Sequence, residues 1–243
     1  MYRWLCVNLV LTFAAVVGCL GASYAQSGLR FETVTIAQGR SGWWSAYATY
    51  PRFLGRSPLE VLATRTLQRA AAQGLAEFVA ELKDAFPTHG KPVQPYEYRL
   101  TPVISLARPA IVSMYFEHWE YAGGAHPNTF YAAYTFGMIG DAPRQLTLSD
   151  LFRPGTDGVK VVSDLVIAHL KREPDAFWVL EGTVKTIDPK IASRFVFTPT
   201  ALTILIQPYE VGPYSSGSFF VKVPFAEFRG SLDPGGPLQT LLR

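Results

Sequence analysis

Cysteine is almost missing from this chain. Its two cysteines, Cys6 and Cys19, both lie close to the N-terminus, in a segment that we expect to be removed on export. The processed chain would then have no disulfide, no thiol nucleophile and no thiolate metal ligand. Such a protein depends on its hydrophobic core, and a mature chain of about 218 residues is long enough to bury one in one or two domains.

Concentrated charge is missing as well. Charged residues make up 17% of the chain, the formal net charge is +3, and no run of Lys and Arg is longer than two. Nucleic-acid binding requires a concentrated basic face, so the composition predicts no nucleic-acid partner. The 14% aromatic content is instead typical of a well-packed, β-rich globular domain rather than a disordered one.

The chain also lacks the short motifs that identify common enzymes. It contains neither H-E-x-x-H nor G-x-S-x-G, the signatures of many zinc peptidases and serine hydrolases. On a strand, His118 and Glu120 would share one face while Glu117 would lie on the other, and zinc needs three or four converging ligands. We therefore predict no metal, no cofactor and no catalytic residue. Carboxylates at Glu117, Glu120, Asp150 or Glu210 leave acid–base cleavage of a glycosidic bond as an open alternative.

The N-terminal segment is typical of a signal peptide. Arg3 precedes an almost wholly apolar run at residues 4–15, and S-Y-A at residues 23–25 offers a cleavage site before Gln26. The run is short for a membrane span, which needs about 20 residues. We predict a signal peptide at residues 1–25 and a periplasmic or secreted protein. Alternatively, V-V-G-C at residues 16–19 is a lipobox, and Cys19 anchors a lipoprotein to the membrane.

The first half of the chain alternates strand and helix patterns. Strands are predicted at residues 29–36, 43–53, 93–106 and 110–121. Between the second and third of them, Ser57, Pro58 and Glu60 form a capping box with proline at the first helical position. The apolar stripe that follows predicts a helix of about 30 residues. Gly74 weakens its middle by about 1 kcal/mol relative to Ala, and Pro87 and Gly90 end it.

The second half repeats this mixture with shorter elements. The patterns predict strands at residues 130–139, 195–197, 201–207 and 218–223, a helix at residues 157–173 closed by Pro174, a helical turn at residues 224–228 and a loose tail after Asp233. Runs of strands with two substantial helices indicate the α+β class, with mostly antiparallel sheets.

Three segments of the chain resemble a known family. Y-A-G-G-A-H at residues 121–126, L-T-L-S-D-L-F at 146–152 and Q-P-Y-E-V-G-P-Y-S-S-G at 207–217 are similar, in order and spacing, to the exported RsiV-like domain, a domain of unknown function in many proteins. The part before them, with Y-P at residues 50–51 ahead of a long helix, resembles the module that precedes this domain in PdaC-like and RsiV-like proteins.

The resemblance implies a two-lobed α+β fold outside the cytoplasm that binds ligands of the cell envelope. It divides the chain into a PdaC-like N-terminal module at residues 27–108, an RsiV-like domain at 109–233 and the tail at 234–243. In the anti-sigma member of the family the domain captures lysozyme, and in PdaC-like proteins a separate deacetylase domain carries the catalysis. This chain shows no sequence match to that catalytic domain.

Two glycine-bearing segments are the predicted binding site, because they interrupt strand patterns with polar and aromatic side chains that suit sugars and protein surfaces. The predicted binding residues are Tyr121, Gly123, Gly124, His126, Asn128, Tyr209 and Tyr214. We predict an exported, non-catalytic binding domain for a cell-wall glycan or an envelope protein such as lysozyme. The near-neutral charge gives a basic lysozyme no general attraction. The alternative is an envelope hydrolase that uses His126 with Glu117 or Glu120.

Overall fold

The structure is a computed structural model that describes residues 28–228 and 230–242, apart from the side chains of residues 84, 85 and 87–89. The predicted signal peptide and Cys19 lie outside this part of the chain. Within it, no helix combines the length and the apolar character needed to cross a membrane.

The described residues form nine strands and four α-helices. The strands are β1 (Phe31–Arg40), β2 (Trp44–Phe53), β3 (Tyr96–Arg108), β4 (Ile111–Tyr121), β5 (Asn128–Ile139), β6 (Ala142–Gln145), β7 (Phe195–Phe197), β8 (Ala201–Ile206) and β9 (Phe219–Pro224). The helices are α1 (Pro58–His89), α2 (Gly158–Leu170), α3 (Phe177–Leu180) and α4 (Pro189–Ala192), with 3-10 turns at Leu148–Leu151, Tyr214–Ser216 and Phe225–Phe228.

The strands are arranged in two sheets. The first sheet has the order β1-β2-β3-β4-β5-β6, and all its neighbours are antiparallel except β2 and β3, which α1 connects in parallel. The second is the antiparallel sheet β7-β8-β9. The predicted α+β class with mostly antiparallel sheets is confirmed.

Helix α1 begins as the sequence predicts. The Glu60 N–H donates to the Ser57 hydroxyl at 3.3 Å, and the Glu60 carboxylate accepts in return from the Ser57 N–H at 3.3 Å. The helix ends at Gly90, whose positive φ suits glycine. Pro87 lies inside the last turn rather than ending the helix. The apolar stripe, from Leu59 to Leu82, is buried against the first sheet.

Two hydrophobic clusters give the molecule its two lobes. The first lies between α1 and one face of the six-stranded sheet, and the second lies around α2, the three-stranded sheet and the C-terminal residues. The predicted boundary at residues 108 and 109 falls in the turn between β3 and β4, which pair from Glu97 with Tyr121 to Arg108 with Ile111. The first sheet is therefore continuous across that position.

Strand β4 contributes to both lobes. As predicted, Val112, Met114 and Phe116 share one face, and all three are fully buried in the α1 cluster. On the other face Ser113 is also fully buried, because β7 packs against it. The Phe197 N–H donates to the Ser113 hydroxyl at 2.7 Å. This contact joins the two sheets.

Three further expectations need correction. Helix α2 is capped by Asp157 as expected but ends at Leu170, before the predicted residue 173. Strand β6 and helices α3 and α4 were not predicted, because elements of four residues are too short for a periodic pattern. The tail, which was expected to be loose, is packed on the second cluster up to residue 242. Leu238 is fully buried and Leu241 nearly so, and both pack in the second cluster.

Candidate functional site

The two glycine-bearing segments meet in the structure. Residues 122–127 connect β4 to β5, and residues 207–218 connect β8 to β9. The Tyr214 hydroxyl donates to the Pro127 carbonyl oxygen at 2.9 Å. The His126 ring stacks on the Tyr214 ring, with centroids 4.1 Å apart and planes 21° apart. The structure thus brings together two loops that lie about 80 residues apart in the sequence.

The first loop depends on its glycine pair. Gly123 and Gly124 have φ values of 93° and 90°, which side-chain-bearing residues rarely adopt. The Tyr121 hydroxyl donates to the Gly124 carbonyl oxygen at 3.4 Å and spans the bend. Tyr121, Gly123 and Gly124 therefore shape the loop, while His126 contacts the second loop.

The second loop is held by polar contacts at its base. The Glu210 carboxylate accepts from the Gln207 N–H at 2.8 Å and pairs with the largely buried guanidinium of Arg194. The Gln207 side-chain amide donates to the Tyr131 carbonyl oxygen at 3.1 Å. These contacts fix the loop to β5 and to the segment before β7, so its tip stands on a rigid base.

Tyr209 is an exposed ring at the tip of the second loop. Its φ is 67°, in the left-handed region that non-glycine residues seldom occupy, and 60% of its surface is accessible. Its ring centroid lies 5.7 Å from that of Tyr214. His126, Tyr209 and Tyr214 together form what we call the aromatic surface. Backbone strain of this kind occurs most often at functional sites.

Asn128 belongs to a different part of the molecule. It is the first residue of β5 and pairs with Glu120, so the two side chains share the α1 face of the sheet. Among the described contacts, none joins Asn128 to the aromatic surface. Of the predicted binding residues, the structure therefore brings together His126, Tyr209 and Tyr214.

His126 contacts a backbone carbonyl rather than a carboxylate. Its Nδ1 lies 2.9 Å from the Pro127 carbonyl oxygen. Because a carbonyl only accepts, Nδ1 donates in this contact. No hydrogen bond or ion pair among the described residues connects His126 to Glu117 or Glu120. The alternative prediction, a hydrolase that uses His126 with one of these carboxylates, has no support in these contacts.

A second group of titratable residues lies between α1 and the sheet. The Tyr98 hydroxyl lies 3.4 Å from His118 Nδ1. Burial lowers the pKa of His118, partly offset by Glu77, while burial and then Glu81 raise the pKa of Glu120. In the described part of the chain, no three His, Cys, Asp or Glu side chains are grouped to hold a metal ion.

A third group pairs His169 with a carboxylate. His169 Nε2, in the last turn of α2, lies 2.9 Å from Glu227 Oε2 in the Phe225–Phe228 turn. Glu227 lines a cavity of about 440 Å³, and His169 lines another of about 390 Å³. Sequence reasoning missed the pair because its members lie 58 residues apart and match no local motif.

Comparison with protein families places two domains in the chain. Residues 149–226 match the family described as protein of unknown function (DUF3298), and residues 40–129 match the family described as deacetylase PdaC. A PdaC-type region therefore precedes a DUF3298 domain. This order confirms the resemblance that the sequence motifs indicate.

Comparison with individual proteins gives one relative with a named activity. Over 160 residues, 63% of this chain and 69% of the relative, the chain is 28% identical to Esterase Rv3036c of Mycobacterium tuberculosis. The predicted absence of catalysis is therefore not supported, because this relative and the PdaC family are both named for hydrolytic activities.

Two solved structures of DUF3298 family proteins share the fold. The protein from Bacteroides fragilis has a TM-score of 0.60 and 14% identity, with 89% of this chain and 98% of that chain covered. The protein from Pseudomonas aeruginosa has a TM-score of 0.56 and 16% identity, with 85% and 95% covered. At these identities the similarity concerns the fold alone.

Proposed function

We propose that this chain, a PdaC-type region followed by a DUF3298 domain, is an exported binding protein for a glycan of the cell wall. The observation that carries the proposal is the stack of His126 on Tyr214 beside the exposed Tyr209. Aromatic rings with a polar group contact the C–H faces of sugars and donate hydrogen bonds at their edges. Export, to the periplasm or beyond it, is part of the proposal.

The rigidity of both loops supports binding. The Tyr214 hydroxyl fixes the first loop, and Glu210 with Arg194 fixes the second. Because the rings are ordered before a ligand arrives, association costs less conformational entropy than ordering flexible loops would. The formal charge of +3 gives no general attraction to a basic protein such as lysozyme. A neutral or weakly charged glycan is therefore the partner that fits better.

A sedimentation assay with insoluble peptidoglycan tests the proposal. We expect the purified protein to sediment with the glycan, and Tyr209→Ala and His126→Ala each to weaken binding roughly threefold to tenfold, as expected for loss of one aromatic contact. Phe31→Ala is the matched control, because Phe31 is an exposed ring on β1, at the far edge of the sheet. We expect this variant to bind like the original protein.

A parallel assay on immobilised lysozyme separates the two partner classes. If the protein is retained on lysozyme but does not sediment with peptidoglycan, its partner is an envelope protein rather than a glycan. Binding to peptidoglycan that neither Tyr209→Ala nor His126→Ala weakens would contradict the assignment of the aromatic surface.

The esterase relative favours a second function. Over 63% of its own length, this chain is 28% identical to a protein named as an esterase. We therefore also propose that this chain hydrolyses an ester. Among the described contacts of the aromatic surface, no carboxylate orients His126, so we place the hydrolysis in a different group of residues.

A further inference from the structure

We propose that His169 and Glu227 form a hydrolytic site at which a water molecule attacks a small, uncharged acyl ester. The inference rests on the second function proposed above and places it at the junction of α2 with the Phe225–Phe228 turn. This junction is separate from the aromatic surface, and it includes none of the residues proposed to bind the glycan.

The first observation is the geometry of the histidine and carboxylate. His169 Nε2 lies 2.9 Å from Glu227 Oε2, so Nε2 carries the proton that the carboxylate accepts. In the neutral imidazole Nδ1 is then the basic nitrogen. This is the arrangement in which a carboxylate orients a histidine and stabilises the imidazolium formed when it takes a proton.

The second observation is the cavity beside the pair. It measures about 390 Å³, within the size range of small-molecule sites. Both polar and apolar residues line it: His169, Glu173, Ser218, Phe219, Phe220, Val221 and Lys222. The side chains come from α2 and the segment after it, and from β9 and the residue before it.

The charges of the lining indicate the substrate class. Glu173 also lines the cavity and disfavours an anionic acyl group by repulsion. Phe219, on the face of β9 that packs on the α2 cluster, offers apolar surface to a short acyl chain. The site therefore fits an uncharged ester with a short acyl group.

The reaction requires only water and the ester. His169 Nδ1 removes a proton from water as the water oxygen bonds to the acyl carbon, and the carbonyl electron pair moves to its oxygen. When this pair returns, the bond to the alcohol oxygen breaks, and the leaving oxygen takes the proton from His169. One ester and one water give one acid and one alcohol. His169 is the catalytic residue, and Glu227 is a positioning residue.

Hydrolysis of p-nitrophenyl acetate and butyrate by the purified full chain tests the proposal. We expect His169→Gln to lower kcat/KM roughly 100-fold or more, the range for a general base. We expect Glu227→Gln to lower kcat about 10-fold with KM unchanged, because it orients the base without touching the substrate. Glu181→Gln, an exposed carboxylate after α3, is the matched control and should retain full activity.

Thermal unfolding of each variant shows whether the substitution has destabilised the fold. His169→Asn serves as a second variant if His169→Gln unfolds at a lower temperature. Ester hydrolysis that survives both histidine substitutions would overturn this site while leaving the esterase function in place. No turnover by the original protein would overturn both, and neither result would affect the peptidoglycan assay.

Discussion

His118 lies where α1 covers the sheet, and its surroundings oppose a positive charge. The Tyr98 hydroxyl contacts its ring, and it pairs across the sheet with Leu100 and Phe130. Burial is the main cause of its lowered pKa, and the Glu77 carboxylate on α1 opposes the shift only partly. A histidine in this position is therefore stable in its neutral form.

The lowered pKa of His118 predicts that the stability of the protein depends on pH. Because the pKa of His118 is lower in the folded protein than its ordinary value of 6.5, the unfolded chain binds the proton more tightly. The stability that neutral His118 contributes is present above about pH 6.5, and it is lost as the pH falls through the pKa of His118 in the folded protein. We expect the free energy of unfolding to decrease by at most about 1.4 kcal/mol per pH unit for this one group.

Urea unfolding between about pH 7.5 and pH 5 measures this effect. His118→Gln should flatten the curve. Glu120→Gln is a control with the opposite effect. The pKa of Glu120 is raised in the folded protein, so its protonated carboxyl stabilises the fold, and this stability is lost as the pH rises. Parallel curves for the original protein and His118→Gln would show that His118 is not the group responsible.

Helix α1 lies close against the sheet at Gly74. A Cβ at this position would overlap the Tyr98 hydroxyl. Tyr98 is buried and stacks on Phe78 with centroids 5.2 Å apart, so its hydroxyl has little room to move. The glycine that weakens the helix by its propensity is thus the residue that lets the helix lie on the sheet.

A double-mutant cycle tests this packing. We expect Gly74→Ala to lower the free energy of unfolding when Tyr98 is present, because the methyl group and the hydroxyl overlap. In a Tyr98→Phe background the same substitution should raise it, by up to about 1 kcal/mol, because alanine is the better helix former. Equal effects of Gly74→Ala in both backgrounds, measured by urea unfolding, would rule out the overlap.

At the scale of the whole molecule, buried hydroxyls join the two sheets. Thr135 donates to the Phe195 carbonyl oxygen at 3.1 Å, Ser113 lies 2.9 Å from the Thr135 hydroxyl, and the Phe197 N–H donates to Ser113. Because Thr135 uses its proton on Phe195, Ser113 donates to Thr135. Every donor in this chain of four residues has an acceptor, which such buried groups require.

Ser113→Ala removes the middle of this chain. The substitution leaves the Phe197 N–H and the Thr135 hydroxyl each one partner short, so we expect a loss of about 1–3 kcal/mol in the free energy of unfolding. Thr35→Val is the control, because Thr35 shares a hydroxyl contact with Thr49 on the exposed face of β1 and β2 and should cost at most about 0.5 kcal/mol. Similar losses for both variants would contradict the role of Ser113.

The sequence predicts local features well. The Ser57 capping box, the alternation of residues 112–116 and the two glycine-bearing loops all depend on neighbours in the chain, and the structure contains each of them. Contacts between distant residues escape such reasoning. The overlap of Gly74 with Tyr98, the pair of His169 and Glu227, and the burial of Leu238 follow only from how the sheets and helices pack.

The buried leucines near residue 240 impose an order on the folding of the two lobes. Met138 is the last residue that packs in the cluster under α1, whereas the cluster around α2 includes Leu238, Leu241 and Leu242. The α1 lobe therefore has all its apolar residues about 100 residues earlier in the chain than the α2 lobe does.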